Sequence, residues 1–129
     1  MQTGIMGYKG AIHYHCAPAI DDFLDSIPSD TPKGDIFRII AEHIDKGIHS
    51  NYRLYTSNIV ALDLLEGTSH GGYGEAEKTA FEDYLSRQLQ KAEAMLSKAG
   101  VTPDKEYLRE RMLTMYANPA RNKFNTRNT

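Results

Sequence analysis

Only one stretch of the sequence has the alternation that is typical of a β-strand. The two faces of residues 11–16 are Ala11, His13 and His15 on one side and Ile12, Tyr14 and Cys16 on the other. The backbone N–H and C=O groups of a strand need neighbouring strands as hydrogen-bond partners. The partner must therefore be a weak strand elsewhere in the chain, a strand of another chain, or a segment outside these 129 residues.

The remainder of the sequence favours helices, because apolar residues recur at intervals of three and four. We predict a short helix or turn over residues 20–27, followed by longer helices from Thr31 to Gly47, over 51–66, over 75–99, and from Pro103 to just before Pro119. The predicted fold class is a mostly helical α/β fragment, with about four to five helices and an N-terminal strand.

Composition places the chain among ordinary globular proteins, with 40% hydrophobic and 25% charged residues. A formal net charge of −2 gives no reason to expect a nucleic-acid partner, and a single cysteine excludes an internal disulfide. No apolar run approaches the roughly 20 residues of a membrane span. We predict one cytoplasmic segment over residues 1–129 with a mobile polar tail at 121–129, and any contact with the inner membrane would be peripheral.

His13 and His15 are the candidate metal ligands, since two imidazoles on one strand face are well placed to bind an ion. A third ligand would have to be a carboxylate or a distant histidine, namely His43, His49 or His70. Zinc sites usually contain ligand pairs at short spacing, and the sequence has no second pair. Core packing of the opposite face is the simpler interpretation, and on that face Cys16 is poorly placed to use His15 as a base.

The stretch LLEGTSHGG, residues 64–72, combines a carboxylate, a histidine and glycines. A phosphate-binding loop needs glycines that lead into a helix N-terminus. Here Gly67 follows a predicted helix, at the end where the helix dipole repels anions. We therefore interpret this stretch as a helix stop and a loop.

Two further patterns have an ordinary structural interpretation. An apolar stripe at helical spacing is more typical of a core than of a ligand groove, and its members are Phe81, Tyr84, Leu85, Met95 and Met112. Cations near the C-terminus would suit an anionic membrane, and they are Arg109, Arg111, Arg121, Lys123 and Arg127. Acidic residues are interspersed among them, which favours a solvated face.

Three stretches resemble segments of one protein family. They are GIMGYKGAIHYHCAPAI (4–20), HIDKGIHSNYRLYTSNIVALDLLEGT (43–68) and EYLRERMLTMYANPARN (106–122). In order and spacing they are similar to the C-terminal part of bacterial 1-acyl-sn-glycerol-3-phosphate acyltransferase-like proteins, in the phospholipid and glycerol acyltransferase family. The resemblance covers most of the chain and rests on the general similarity of these three stretches rather than on a short functional motif.

The resemblance implies an α/β domain in which residues 9–18 follow the catalytic core and the partner strands precede Met1. It implies acyl transfer from acyl-CoA or acyl-carrier protein to the hydroxyl of a lysophospholipid, a reaction of phospholipid biosynthesis. In that family a His-x4-Asp motif supplies the base, and a Phe-Pro-Glu-Gly-Thr-Arg motif holds the glycerol phosphate.

This chain departs from both motifs. No histidine has an aspartate five residues later, and only His70 has a carboxylate there, Glu75. Glu66-Gly67-Thr68 mimics the second motif without its Phe-Pro or its Arg. We therefore assign no catalytic residue and no cofactor-binding residue, and we expect no cofactor and no acyl transfer from this chain alone.

The sequence thus predicts the C-terminal segment of a lysophospholipid acyltransferase, with a structural role. Acyl-CoA or acyl-carrier protein and the lysophospholipid would be bound through an N-terminal part. Two alternatives stay open. One is a free-standing helical protein-interaction module that uses the long amphipathic helix over 75–99, and the other is a small metal-binding protein that uses His13 and His15.

Overall fold

The computed structural model describes residues 10–127, with side chains up to Thr126. It contains the helices α1 (Asp21–Asp25), α2 (Lys33–Asn51), α3 (Thr56–Glu66), α4 (Glu75–Lys98) and α5 (Lys105–Arg127). The prediction of a mostly helical chain is confirmed, and no residue from 10 to 127 is assigned to a strand. No helix in this range is long and apolar enough to cross a membrane.

The chain divides into two compact units, Met1–Arg53 and Leu54–Thr129, where the sequence predicted one segment. The first unit contains α1, α2 and a non-helical stretch over residues 10–19, which we call the N-terminal segment. The second unit contains α3, α4 and α5.

The N-terminal segment makes no backbone hydrogen bond to any other described residue. The predicted strand therefore has no pairing partner within residues 10–127. The side chains of Ile12 and Tyr14 are 58% and 88% exposed, and Cys16 is also exposed. The expectation that this face packs in a core is wrong for the described part of the chain.

Helix α2 begins at Lys33 with Pro32 as its N-cap, one residue later than the predicted start with Thr31 as the cap. Proline still fits this end of the helix, where no N–H donor is needed. Thr31 makes no capping hydrogen bond. Gly47 does not end the helix, which continues to Asn51, and the Asn51 side chain donates to the Gly47 carbonyl at 2.8 Å. A glycine inside a helix costs only about 1 kcal/mol, which regular apolar spacing on both sides can offset.

The second unit has a conventional helical core. Its buried apolar residues are Val60, Ala61 and Leu62 of α3, Phe81 and Leu85 of α4, and Leu113, Ala117 and Ala120 of α5. The contact between α3 and α5 is the most extensive of the three helix pairs. Alanines at that contact let the two backbones approach closely, because they leave little side chain between them.

Helix α3 begins at Thr56, five residues later than predicted, because a polar contact defines its start. The Tyr55 backbone N–H donates to the Asn58 side-chain oxygen at 2.9 Å. The Asn58 amide group then donates to the Tyr116 carbonyl of α5, also at 2.9 Å. At the other end Gly67 adopts φ 67°, a left-handed conformation that suits glycine, and ends the helix as predicted.

Helix α5 passes through Pro119, so the prediction that it ends there is wrong. Proline has no N–H to donate to the Met115 carbonyl, and it usually interrupts a helix. Here Ala117 and Ala120 are fully buried on either side of it, and Phe124 packs against the core, so tertiary contacts hold the helix together. Residues 121–127, predicted as a tail, are helical, and 128–129 lie outside the described residues.

Truncation of Leu85 to alanine should destabilise the protein by about 2–5 kcal/mol, since this side chain is 2% exposed and its loss leaves a cavity. Met95→Ala is the matched control, because Met95 lies on the same helix and is 74% exposed. Its effect should stay within about 0.5 kcal/mol. Urea denaturation followed by circular dichroism measures both, and equal losses would contradict the core described above.

Candidate functional site

A cleft of about 570 Å³ lies in the first unit, between the N-terminal segment and α2. His13, His15 and Ala17 line one side of it, and His43 and Gly47 of α2 line the other. His13 and His15 of the predicted strand face both line the cleft, whereas Ala11 of that face does not, and Ala17, Pro18 and Ala19 line it consecutively. We call this space the histidine cleft.

The floor of the histidine cleft is apolar, with contributions from Ile20, Ile44 and Ile48. No carboxylate, lysine or arginine of the described residues lines it. The ring of Phe23 stacks on His43 with centroids 3.7 Å apart and an interplanar angle of 11°. This stacking contact fixes the orientation of the His43 imidazole in a cleft whose lining is mainly apolar.

The structure brings both candidate metal ligands, His13 and His15, to the same cleft as His43. Among the residues described, no group of three or more histidine, cysteine or acidic side chains is arranged to hold an ion. Cys16 is not part of the cleft lining, so it does not combine with His15. The metal hypothesis for His13 and His15 stays a prediction.

A second polar constellation lies in the other unit, around the buried carboxylate of Asp63 near the end of α3. This side chain is only 4% exposed. Four donors of the following loop converge on it: the Thr68 hydroxyl at 2.8 Å, the His70 backbone N–H at 3.0 and 3.1 Å, the His70 Nδ1 at 2.6 Å and the Tyr73 hydroxyl at 2.7 Å. The carboxylate therefore anchors the loop between α3 and α4.

Burial opposes ionisation of Asp63, but hydrogen bonds from His70, Tyr73 and Thr68 outweigh it and lower the pKa of the carboxyl to about 2. The same contact with Asp63 raises the pKa of the Tyr73 hydroxyl. An ionised carboxylate only accepts hydrogen bonds, so the His70 proton must reside on Nδ1. The Nε2 of His70 lies on the other side of the ring from this contact, on a side chain that is 36% exposed.

This histidine–aspartate pair has the orientation of a general base, yet its surroundings favour a structural role. The Thr68 hydroxyl lies 3.3 Å from Nδ1 and is already donated to Asp63, as is the Tyr73 hydroxyl. The ring itself is stacked on Phe124 with centroids 5.0 Å apart. The contacts therefore tie the loop to α3 and α5.

Sequence reasoning correctly treated LLEGTSHGG as a helix stop and a loop, but it missed Asp63. A charged residue inside the apolar run VALDLL, with a histidine seven residues later, was the available signal. Glu66 of the Glu-Gly-Thr triplet forms an ion pair with Arg121 at 2.8 Å. His70 pairs with Asp63 and not with Glu75, the carboxylate five residues after it.

The apolar stripe is mainly core, as predicted, since Phe81 and Leu85 are buried while Met95 is exposed. An open depression of about 510 Å³ remains beside Phe81, Tyr84 and Tyr116. The two tyrosine hydroxyls lie 2.7 Å apart. Burial, together with this hydrogen bond, raises the pKa of Tyr116 to about 12, so the Tyr116 hydroxyl stays protonated at neutral pH.

Two of the candidate membrane-facing cations are engaged with neighbouring side chains. Arg121 pairs with Glu66, and Arg111 lies 4.0 Å from Glu110 and 4.9 Å from the ring centroid of Tyr107. These contacts favour the interpretation of a solvated, mixed-charge face. Arg127 lies outside the residues whose side chains are described.

No family model, no curated protein and no solved structure matches this chain. The resemblance to acyltransferase-like proteins therefore stays a prediction. Function has to be argued from the histidine cleft, the N-terminal segment and the residues that remain exposed.

Replacement of Asp63 by asparagine should destabilise the protein by about 1–3 kcal/mol at neutral pH, because one amide oxygen cannot accept all four loop donors. The pKa of this carboxyl falls from 3.8 to about 2 on folding, so its stabilising contribution is complete above pH 3.8 and is lost as the pH drops towards 2. Chemical denaturation from pH 7 to pH 2 measures this.

Asp83→Asn is the control, since Asp83 is exposed on α4. The free energy of unfolding of Asp83→Asn should equal that of the unmodified protein at neutral pH. A gap between the unmodified protein and Asp63→Asn that persists unchanged down to pH 2 would contradict the role given to this carboxylate.

Proposed function

We propose that this chain is the C-terminal, non-catalytic segment of a lysophospholipid acyltransferase-like protein of phospholipid synthesis. In this proposal it completes an α/β domain whose catalytic motifs lie on a preceding polypeptide segment. The observation that carries the proposal is the N-terminal segment, whose backbone is unpaired within residues 10–127 and whose side chains Ile12 and Tyr14 are exposed.

A stretch of unpaired backbone with alternating apolar side chains is unfavourable when it is exposed to solvent. Its free N–H and C=O groups can accept another strand, and proteins usually cover or pair such edges. Addition of this segment to the edge of a sheet would satisfy the backbone and would bury one face of side chains. This supports a role in completing a sheet.

Helix α2 supports the same proposal. It has 19 residues, an amphipathic pattern and no buried residue. Phe37 is 64% exposed, and Ile44 and Ile48 are 42% and 54% exposed. In α/β proteins a helix of this kind covers a sheet, and the sheet buries the apolar side of the helix.

The second unit supports a structural role for this segment. It has its own core, and its one buried carboxylate, Asp63, is used to hold a loop. The resemblance in residues 4–20, 43–68 and 106–122 points to the same family. Lys9 of the lysine-glycine segment lies outside the described residues.

The first test is whether a catalytic partner exists. The coding sequence upstream of Met1, in frame or as a neighbouring gene, should encode a polypeptide with a His-x4-Asp motif. Co-expression of that polypeptide with this chain should give a complex that releases free CoA from palmitoyl-CoA in the presence of lysophosphatidate. This chain alone should release none above the buffer blank, and its own acyl transfer, or the lack of any such reading frame, would contradict the proposal.

The second test concerns pairing by the N-terminal segment. Ile12→Pro removes a backbone donor from the centre of the segment and should abolish co-purification and activity of the complex. Ser29→Pro is the control, because Ser29 occupies a turn closed by the Thr31 N–H and the Pro28 carbonyl at 3.0 Å, where proline is accepted. An equal loss in both variants, or in neither, would argue against strand pairing.

A further inference from the structure

The histidine cleft has the size and lining of a small-molecule site. Its volume of about 570 Å³ lies within the range of roughly 300–1,000 Å³ that is usual for ligand pockets. Such pockets combine apolar walls with a few polar groups that fix the ligand's orientation. Here the apolar walls are isoleucine, alanine and proline side chains. The polar groups are the imidazoles of His13, His15 and His43, together with the side chains of Asn51 and Tyr52.

The charges around the histidine cleft discriminate between ligand classes. A cationic ligand would meet no carboxylate in the lining, whereas an anionic head would meet three imidazoles. An imidazole has an N–H donor in its neutral form and two in its protonated form, and hydrogen bonds to an anionic acceptor are the stronger kind. The lining therefore fits an anion and offers no counter-charge to a cation.

The apolar floor of the cleft indicates the kind of ligand tail that would fit. Ile44 and Ile48 lie one helical turn apart along α2, and Gly47 between them carries no side chain into the space. Ile44, Gly47 and Ile48 together form an apolar groove along the helix that suits an unbranched aliphatic tail. A Cβ added at Gly47 would meet no heavy atom within 4 Å, so this part of the groove is open.

We propose that the histidine cleft binds a single-chain anionic lipid, with its aliphatic tail along Ile20, Ile44 and Ile48 and its carboxylate on the imidazoles. This assigns a ligand to the chain itself, whereas the proposed function assigns it only a structural role. Pairing of the N-terminal segment through its backbone leaves its side-chain face available. A sheet that covered Ile44 and Ile48 would close the cleft, so the test uses this chain without a partner.

The test uses the full 129-residue chain and a dansyl-labelled undecanoic acid as the fluorescent probe. Three competitors share one tail and differ in the head: decanoate, decanol and decyltrimethylammonium, all below their micelle concentrations. Decanoate should displace the probe at a concentration about tenfold lower than decanol, because hydrogen bonds to a charged acceptor are stronger than those to a neutral one. Decyltrimethylammonium should be the weakest, and equal competition by the cation would overturn the proposal.

A pair of glycines on α2 provides a matched control. Gly47→Leu places a side chain in the groove where the aliphatic tail would lie. It should weaken probe binding about tenfold, because the leucine and the tail compete for the same space. Gly34→Leu adds the same side chain to the same helix, at a position that also has open space and does not line the cleft. It should change binding less than about twofold, and because leucine favours helix over glycine, both variants should fold.

The imidazoles are tested by the triple variant His13→Leu, His15→Leu and His43→Leu, which removes their N–H donors, with His49→Leu as the control on α2 outside the lining. The triple variant should lose the preference for decanoate over decanol while it still binds decanol. Unchanged preference in the triple variant, or equal weakening by Gly47→Leu and Gly34→Leu, would overturn the proposal. Loss of the upstream acyltransferase partner would leave these results unaffected.

Discussion

The packing of α3 against α5 is the contact on which the second unit depends. Ala61 of α3 and Ala117 and Ala120 of α5 are fully buried, and this helix pair is the most extensively packed of the three in the unit. The Asn58 side chain adds a hydrogen bond to the Tyr116 carbonyl and thereby sets where α3 begins. Close packing also explains why α5 tolerates a proline, since burial on both sides offsets the missing hydrogen bond.

The buried carboxylate of Asp63 extends that packing into the loop that follows α3. It accepts hydrogen bonds from Thr68, His70 and Tyr73, and these fix the path of the chain towards α4. The cost of burying a charge is thus offset by several donors, which is the usual condition for a buried ionised group. The His70 ring, stacked on Phe124, connects the loop to α5 as well.

The first unit is organised differently, because α2 buries none of its residues. Its apolar side chains and the N-terminal segment enclose the histidine cleft instead of a core. The two proposals made here follow from this one property. Unpaired backbone at the N-terminal segment supports the completion of a sheet, and the apolar floor with three imidazoles supports the binding of an anionic lipid.

The sequence by itself determined the helical content, the stop at Gly67 and the shared face of His13 and His15, since spacing and glycine conformation are local properties. The continuation of α5 past Pro119 was visible only in the folded chain, as were the donors that Asp63 collects from the loop of residues 67–74. The tertiary structure also decided that His43 joins the two N-terminal histidines at one cleft. The path of α5 and the position of His43 depend on contacts between residues far apart in the chain. The Asp63 contacts lie within ten residues but depend on the exact conformation of a loop, and local propensity carries no information about either.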